Sequence, residues 1–276
     1  MLNMCAGGET LLGTQTIPII EQLLLEGHYV MIVTNGLLTE KLVEITRFDS
    51  LLLERLFFKF SFHFLELKRV NKTEIFFDNI ELVRAAGCSY TVEITPNDEL
   101  EPHIEEVKRV CMDKLKVLCH VTIPRDVTSR EIKLLSKRPL DEFYDIWRSF
   151  DSSLLDFKKE IFYVKRKEYC FAGAWTYLLN LATGDIRQCY SGSLSSNIYE
   201  DMDKPVNEIP IGHDCELAHC YNGHAFLTLG AIPELNTPTY ASLRNRVNVD
   251  GVQWINERMA SFLSQKLLIT PEVITK

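Results

Sequence analysis

Near the start of the chain lies the stretch Met4-Cys5-Ala6-Gly7-Gly8-Glu9-Thr10-Leu11-Leu12. This order is typical of the end of a buried strand, a turn with two glycines, a carboxylate and the first turn of a helix. Adjacent glycines carry no Cβ, so their backbone can approach a ligand closely. Because α/β folds bind ligands at the carboxyl ends of their parallel strands, Glu9 is placed to meet a cationic group such as an amine. An ordinary β/α turn with a solvated glutamate would show the same pattern, and this stretch alone does not separate the two interpretations.

The composition is that of a globular chain with a large core. The 276 residues are 46% hydrophobic and carry a formal net charge of -8, which argues against a nucleic-acid partner. The longest apolar run, residues 51–67, is interrupted by charged and histidine side chains, so we expect no membrane span. Met1 leads directly into the glycine turn without a signal peptide, and eight cysteines in that setting predict a reducing compartment, the cytoplasm.

The first half of the chain alternates strand and helix patterns about five times, with short connections. Strands are predicted at residues 29–33, 56–62, 88–95 and 116–123 after the opening one. Helices are predicted at residues 16–26, 39–46, 73–86 and 99–112. Such alternation is typical of a parallel β/α sheet or a partial β/α barrel.

Polar side chains recur where these predicted strands end, and the ends of parallel strands meet at one mouth. Each of them alone could equally be a turn residue that satisfies local backbone groups. Their recurrence predicts a site, whose candidate members are Glu9, Thr34, Asn35, Ser61, His63, Glu93, Thr95, His120 and Arg125.

The pattern changes near residue 153, where we place a domain boundary that separates residues 1–153 from 154–276. A strand is expected at residues 160–169, and a hairpin is expected to turn at Thr183-Gly184-Asp185. A loop rich in polar residues and a helix near residues 252–268 complete this part of the chain.

Four cysteines of the second part carry its most specific signal. Cys170 and Cys189 flank Gly184 in the pattern C-x13-G-x4-C, and Cys215 and Cys220 follow after the loop. A hairpin that turns at Gly184 would bring Cys170 and Cys189 together, and the loop can return the other two to the same place. Soft thiolate ligands select an iron–sulfur cluster or zinc, and the absence of a C-x2-C pair favours the cluster over a zinc ribbon. Zinc held by Cys215, Cys220, His224 and one hairpin cysteine is the rival interpretation. A third interpretation is that cysteines pack as small hydrophobic side chains, and this suits Cys88, Cys111 and Cys119 better than it suits these four.

The sequence resembles the radical S-adenosylmethionine (radical SAM) superfamily in a set of short motifs. These are the Gly7-Gly8-Glu9 turn, the strand ends at Thr34-Asn35-Gly36 and Ser61-Phe62-His63, and the C-x13-G-x4-C hairpin. The second part is similar to a SPASM/twitch-type auxiliary cluster domain. The resemblance implies a partial parallel β/α barrel, a small hairpin and loop domain with cysteines, and a C-terminal helix. It also implies that Gly7, Gly8 and Glu9 lie along the methionine end of S-adenosylmethionine, with Glu9 near its amino group. Ser61 and His63 would face the ribose, and Asn35, Glu93 and Arg125 would line the same mouth. Cys170, Cys189, Cys215 and Cys220 would hold an auxiliary [4Fe–4S] cluster.

One family feature is missing from the sequence. The family holds its reactive cluster with a C-x3-C-x2-C loop before the GGE turn, and no three of the eight cysteines have that spacing. We therefore expect that the chain is truncated and lacks the first β/α unit of the barrel. Its first strand should then lie at an edge of the sheet, and the chain should be inactive alone.

The family abstracts a hydrogen atom from a substrate, here expected to be a peptide or a small molecule, with electrons from a donor. Two other classes of function stay open: a zinc- or cluster-binding structural or interaction module, and a cofactor-free β/α-barrel enzyme. That enzyme would use Glu9, His63, Glu93 and His120 for acid–base chemistry.

Overall fold

The computed structural model describes residues 1–190, 192–200 and 202–267. Within this part of the chain, no helix is long and apolar enough to cross a membrane. The chain folds as two compact units. Unit one comprises residues 1–124, 135–156 and 241–264, and unit two comprises residues 125–134 and 157–240 together with the described residues 265–267.

Unit one is built on a five-stranded parallel sheet with the strands in chain order. The strands are β1 (Leu2–Met4), β2 (Val30–Thr34), β3 (Leu56–Ser61), β4 (Ser89–Ile94) and β5 (His120–Val121). The predicted parallel sheet is confirmed, and β1 forms one of its edges because it pairs with β2 alone among the described strands. Five neighbouring parallel strands place five strand ends along one rim, and this rim carries the candidate site.

Helices connect consecutive strands of this sheet, and one more helix follows its last strand, β5. They are α1 (Thr16–Leu25), α2 (Thr39–Ile45), α3 (Ser50–Leu53), α4 (Phe64–Arg69), α5 (Thr73–Ala85), α6 (Ile104–Lys114) and α7 (Leu140–Trp147). A short 3-10 helix, Thr10–Leu12, precedes α1. The first helices begin close to where the sequence pattern predicts them, since apolar residues at helical spacing, such as Ile17, Ile20 and Leu24 in α1, are buried.

The two faces of the sheet differ in chemistry. Parallel partners point to the same side, so the register places Ile32, Phe58 and Tyr90 on one face, and all of them are buried. Helix α5 covers this face, where the ring of Phe76 lies edge-on to Phe60 with the centroids 5.9 Å apart. This apolar layer supplies most of the driving force for folding of unit one.

The opposite face is polar, and residues 241–264 of the same unit cover it. Arg244 pairs with Glu93, and its carbonyl accepts a hydrogen bond from Thr91 Oγ1 at 3.1 Å. The ring of Trp254 lies edge-on to His120, with 5.8 Å between the centroids. The segment therefore covers the polar face and supplies partners for Glu93 and Thr91.

The C-terminal helix expected near residues 252–268 is shorter than predicted and belongs to unit one. It forms α11 (Glu257–Leu263), capped by the Asn256 side chain, which accepts a hydrogen bond from the Met259 amide. Residue 268 lies outside the described residues.

In the later part of the chain, α8 (Ser153–Ile161) is followed by the antiparallel strands β6 (Leu178–Leu179), β7 (Asp185–Arg187) and β8 (Leu194–Asn197). The short helices α9 (Gly223–Phe226) and α10 (Tyr240–Arg244) come before α11. The expected turn of the hairpin is present, since β6 pairs with β7 around Gly184, whose φ is +80°. The strand expected at residues 160–169 is wrong: α8, whose buried residues include Leu154 and Phe157 at helical spacing, runs to Ile161, and residues 162–169 form turns and irregular chain.

Candidate functional site

A pocket of about 330 Å³ lies at the carboxyl ends of β1, β2 and β3. It is lined by Gly8, Glu9, Val33, Thr34, Asn35, Ser61 and His63, and we call it the strand-end pocket. Gly8, Glu9, Asn35, Ser61 and His63 were predicted as site residues, so the structure gathers these five in one place. The volume is within the range of small-molecule sites.

Glu9 is the anchor of the strand-end pocket. Its Oε1 accepts hydrogen bonds from the Leu11 amide at 3.0 Å and from Thr34 Oγ1 at 2.9 Å. Its Oε2 accepts one from the Asn35 amide at 2.7 Å. A carboxylate offers about four acceptor positions, so three donors fix its orientation while one position remains for a ligand. Glu9 therefore caps the 3-10 helix and also lines the pocket.

The glycines of the opening turn border open space. A Cβ added at Gly7 or Gly8 would meet no atom of the protein within 4 Å, and neither residue has a positive φ. The protein's own packing therefore does not require glycine at these positions. At Gly8, which lines the pocket, the space that a Cβ would take is open to a ligand. Gly7 is not among the residues that line the pocket.

The loop after β2 is held from both sides. Thr34 Oγ1, which donates to Glu9, also accepts a hydrogen bond from the Gly36 amide at 3.0 Å. Asn79 of α5 is 2% exposed, and its Nδ2 donates to the Gly36 carbonyl at 2.8 Å and to Thr39 Oγ1 at 3.0 Å. Gly36 has a φ of +73°, and a Cβ there would come within 2.9 Å of Phe60 and Phe76. The sequence pattern does not reveal this role of Asn79, because its hydrogen-bond partner, Gly36, lies 43 residues earlier in the chain.

Glu93 was expected at the mouth and is instead buried. Its side chain is 4% exposed and lies between Lys59, whose Nζ is 3.3 Å from Glu93 Oε1, and Arg244. Two cations compensate the cost of removing this carboxylate from water. Glu93 therefore serves the interior of unit one and does not line the strand-end pocket.

His120 is likewise buried, with 0% exposure. Burial, together with the charges of Arg246 and Arg244, lowers its pKa to about 3. Its Nδ1 lies 3.3 Å from Ser152 Oγ. Glu9 and His63 line the pocket while Glu93 and His120 are buried in the sheet, so the four groups of the acid–base alternative do not form one accessible set.

Arg125 was expected at the same mouth, but it belongs to unit two. Its guanidinium carbon lies 4.2 Å from the centre of the Tyr221 ring, a cation–π geometry. Tyr221 in turn stacks on Tyr190, with 4.7 Å between the ring centroids. Since Tyr190 follows Cys189 and Tyr221 follows Cys220, this stack draws the two cysteines toward each other.

Electrostatic effects link all four cysteines of unit two. Burial raises the pKa of the Cys220 thiol to about 12, and the charges of Cys170, Cys215 and Cys189 add to the rise. Burial also raises the pKa of Cys170 to about 11, with contributions from Cys189 and Cys215. The backbone contributes as well, because Cys170 and Gly212 exchange two hydrogen bonds of 3.0 Å. Cys170, Cys189, Cys215 and Cys220, which we call the cysteine quartet, are therefore neighbours.

The described residues nevertheless contain no group of three or more His, Cys, Asp or Glu side chains that could hold a metal ion as they stand. The donor type of the quartet suits a soft metal, but its side chains are not arranged as a ligand set. His219, 2% exposed and next to Cys220, has no hydrogen-bond partner at either ring nitrogen and packs on Phe162 with centroids 4.3 Å apart.

Three of the remaining cysteines have the predicted hydrophobic environment, and Cys5, in the stretch expected to end a buried strand, does not. Cys88, Cys111 and Cys119 are buried, as expected for small hydrophobic side chains. Cys5 is exposed, because β1 ends at Met4.

Comparisons with solved structures give weak matches, of which two are described here. No family model matches the sequence, and no curated protein matches it. The fold resembles a crystal structure of Streptococcus suis SuiB with a TM-score of 0.44 and 14% sequence identity, over 77% of this chain and 53% of that chain. It also resembles SuiB bound to S-adenosylmethionine, with a TM-score of 0.45 and 13% identity, over 77% of this chain and 52% of that one. The chain thus spans about half the length of these structures, and similarity at this level assigns neither a family nor a function to it.

Proposed function

We propose that this chain is a radical SAM superfamily protein that binds S-adenosylmethionine in the strand-end pocket. The observation that carries the proposal is the convergence of Gly8, Glu9, Asn35, Ser61 and His63 on one pocket. These residues are separated by up to 55 positions in the sequence and share only the prediction that each lies at a strand end. A site predicted from the ends of strands is thereby supported by geometry.

Each lining group has a role that its chemistry supports. The Glu9 carboxylate, oriented by three donors, would accept a hydrogen bond from the ammonium group of the ligand. Gly8 leaves room for the ligand to approach the backbone. The hydroxyl of Ser61 would face the ribose, and charge-assisted hydrogen bonding at Glu9 would dominate the affinity.

The cysteine quartet is the proposed ligand set of an auxiliary [4Fe–4S] cluster, which supplies one-electron transfer when bound. Support comes from the pKa values of Cys170 and Cys220, which are raised by burial and by charges on other cysteines of the quartet, and from the preference of iron–sulfur clusters for thiolates. The four side chains must close around the cluster and lose their protons, so binding should weaken as the pH falls.

Radical formation is not assigned to this chain on its own. The reactive cluster of the family needs three cysteines in the spacing C-x3-C-x2-C, and this sequence has none. Hydrogen abstraction from a peptide or small-molecule substrate, with an electron donor as partner, would require that cluster from elsewhere.

Calorimetric titration of the full chain with S-adenosylmethionine tests the pocket. We expect binding that weakens at least about tenfold in Glu9→Gln, since a charge-assisted hydrogen bond contributes roughly 1.5–3 kcal/mol. Glu21→Gln is the matched control, because Glu21 is exposed on α1. Equal affinities of the two variants, or no binding by the wild-type protein, would refute the proposed site.

Anaerobic reconstitution with iron and sulfide tests the quartet. We expect about four irons per chain, as in a [4Fe–4S] cluster, with loss of iron in Cys189→Ala and retention in Cys5→Ala. Binding of zinc without iron would instead support the structural metal-binding module. Retention of iron by Cys189→Ala would exclude the quartet as the ligand set.

A further inference from the structure

Three charged side chains on the polar face of the sheet carry more positive than negative charge. Glu93 lies between two cations, with Lys59 Nζ 3.3 Å from its Oε1 and Arg244 Nη1 paired with its Oε2. We call these three residues the Glu93 cluster. Two cations meet one carboxylate, so one positive charge is left over, and charges removed from water are costly unless they are paired. A ligand with a single negative charge would balance the cluster.

A neighbouring histidine reports the same excess of positive charge. His120 pairs in register with Glu93 on the adjacent strand β5. Burial lowers the pKa of His120 most, and the charges of Arg246 and Arg244 lower it further. Each arginine acts on this pKa more strongly than Glu93, which raises it. The environment around the Glu93 cluster is therefore positive on balance, which favours an anion.

Lys59 is the member of the cluster that a ligand can reach. Its side chain is 20% exposed, whereas those of Glu93 and Arg244 are 4% and 0% exposed. Lys59 precedes Ser61 by two residues on β3 and pairs in register with Val33 on β2, and both of these neighbours line the strand-end pocket. Alternate residues of a strand point to the same face and lie about 7 Å apart. Lys59 therefore lies on the face of the sheet where Ser61 borders the pocket.

The ammonium group of Lys59 is oriented but not saturated. It has three N–H donors, and within the described part of the chain Glu93 is its sole ion-pair partner. One contact with Glu93 fixes the direction of the side chain and leaves donors for a ligand. Hydrogen bonds between an ammonium group and a carboxylate are about twice as strong as those between neutral groups.

We propose that Lys59 binds a carboxylate of the substrate that lies beside the nucleoside. The inference rests on the proposed function, because it takes S-adenosylmethionine to occupy the strand-end pocket. One carboxylate balances the excess charge of the Glu93 cluster, and a small carboxylic acid or an acidic group of a peptide supplies it equally.

The carboxylate of S-adenosylmethionine itself is poorly placed for this contact. Its amine is assigned to Glu9, which follows β1, and the amine and carboxylate of an amino acid share one carbon atom. Neighbouring strands are about 4.8 Å apart, so Lys59 on β3 lies about 10 Å across the sheet from β1. The carboxylate at Lys59 therefore comes from a second molecule.

A matched pair of probes tests the proposal. N-acetylglycine and N-acetylglycinamide differ only in the carboxylate, and ligand-detected NMR follows their binding to the full wild-type chain with saturating S-adenosylmethionine. We expect the acid to bind at least about tenfold more tightly than the amide. In Lys59→Met this ratio should fall below about threefold, whereas Lys59→Arg keeps the charge and should keep the preference. Lys41→Met is the control, because Lys41 forms a similar pair with Glu44 at 3.4 Å on the surface of α2, and its ratio should not change.

Failure of the proposal is distinguishable from failure of the proposed function. If S-adenosylmethionine binds but the acid and the amide bind equally, or neither binds at about 20 mM, the proposal is wrong and the proposed function stands. If S-adenosylmethionine does not bind, the proposed function fails, and the ratio measured on the free chain decides the role of Lys59 separately.

The variants settle which carboxylate Lys59 binds. An unchanged ratio in folded Lys59→Met would overturn the assignment to Lys59. A tenfold or greater loss of affinity for S-adenosylmethionine in that variant, with methylthioadenosine unaffected, would assign Lys59 to the carboxylate of the nucleoside and overturn the proposal. If Lys59→Met does not fold, protection of wild-type Lys59 from acetylation by N-acetylglycine, read by mass spectrometry with Lys41 as the internal control, makes the same assignment, and equal labelling with and without the acid would refute it.

Discussion

Thr34 joins the pocket carboxylate to the loop behind it, and its replacement by valine is the most informative perturbation of this site. The residue is 2% exposed. Its Oγ1 donates to Glu9 Oε1 at 2.9 Å and accepts from the Gly36 amide at 3.0 Å. Thr34→Val keeps the shape of the side chain but removes both hydrogen bonds.

The expected loss of stability follows from these two contacts. A hydrogen bond to a charged group contributes about 1.5–3 kcal/mol, and a buried amide left without an acceptor costs about 1–3 kcal/mol. Because the two effects share one atom and are not fully additive, we expect Thr34→Val to lower the free energy of unfolding by about 3 kcal/mol. Thr34→Ser keeps the hydroxyl and loses one methyl group, which should cost about 1 kcal/mol.

Urea unfolding followed by tryptophan fluorescence measures the difference between these variants. Trp147 and Trp254, both buried in unit one, report on the relevant part of the chain. The serine variant should retain affinity for S-adenosylmethionine, whereas the valine variant should lose about tenfold as Glu9 loses a positioning donor. If the unfolding free energies of the two variants agree within about 0.5 kcal/mol, a difference no larger than that of an ordinary surface substitution, the hydrogen-bond account of this loop is wrong.

Three further predictions concern the interior of unit one. The pKa of His120 is lowered from its ordinary 6.5 to about 3, so the unfolded chain binds a proton at a higher pH than the folded chain does. The free energy of unfolding therefore falls as the pH drops from 6.5 toward 3, and by pH 5 the loss is about 2 kcal/mol. His120→Asn should reduce that difference between urea titrations at pH 7.5 and pH 5, and an equal pH dependence in both proteins would contradict the shift. Arg244→Met should lower the free energy of unfolding by about 3–5 kcal/mol, because Glu93 stays buried with Lys59 as its remaining cation. The control Arg258→Met removes an exposed ion pair with Glu54 and should cost less than about 1 kcal/mol. Similar losses in both variants would count against a buried pair. Asn79→Leu should destabilise unit one by about 1–3 kcal/mol and speed amide hydrogen exchange at residues 36–39, and unchanged exchange there would show that Asn79 does not hold the loop.

Much of unit one could be predicted from local patterns. Apolar periodicity and turn residues predicted β1 to β4 and helices α1, α2, α5 and α6 to within about five positions, because each of these elements is specified by its neighbours in the chain. The short helices α3 and α4 were not predicted. The convergence of Glu9, Asn35 and Ser61 was predictable as well, since the carboxyl ends of neighbouring parallel strands meet at one rim.

The positions of the remaining polar residues in the folded chain could not be predicted from the same pattern. Glu9 and Glu93 both lie near strand ends, yet one lines the pocket and the other is buried. The difference comes from Arg244, which is 151 residues from Glu93 and covers the polar face of the sheet. Arg125 likewise follows a strand, but it belongs to unit two and stacks on Tyr221.

The sequence by itself therefore determined the alternation of the five parallel strands with helices in unit one, the edge of the sheet where polar groups gather, and the hairpin that turns at Gly184. The tertiary structure alone decided which carboxylate remains accessible, which donors orient it, and that Tyr190 and Tyr221, the residues after Cys189 and Cys220, stack on each other. The physical reason is the range of the interactions. Periodicity and turn chemistry act over a few residues, whereas burial and ion pairing depend on side chains that are distant in the chain and meet only when it is folded.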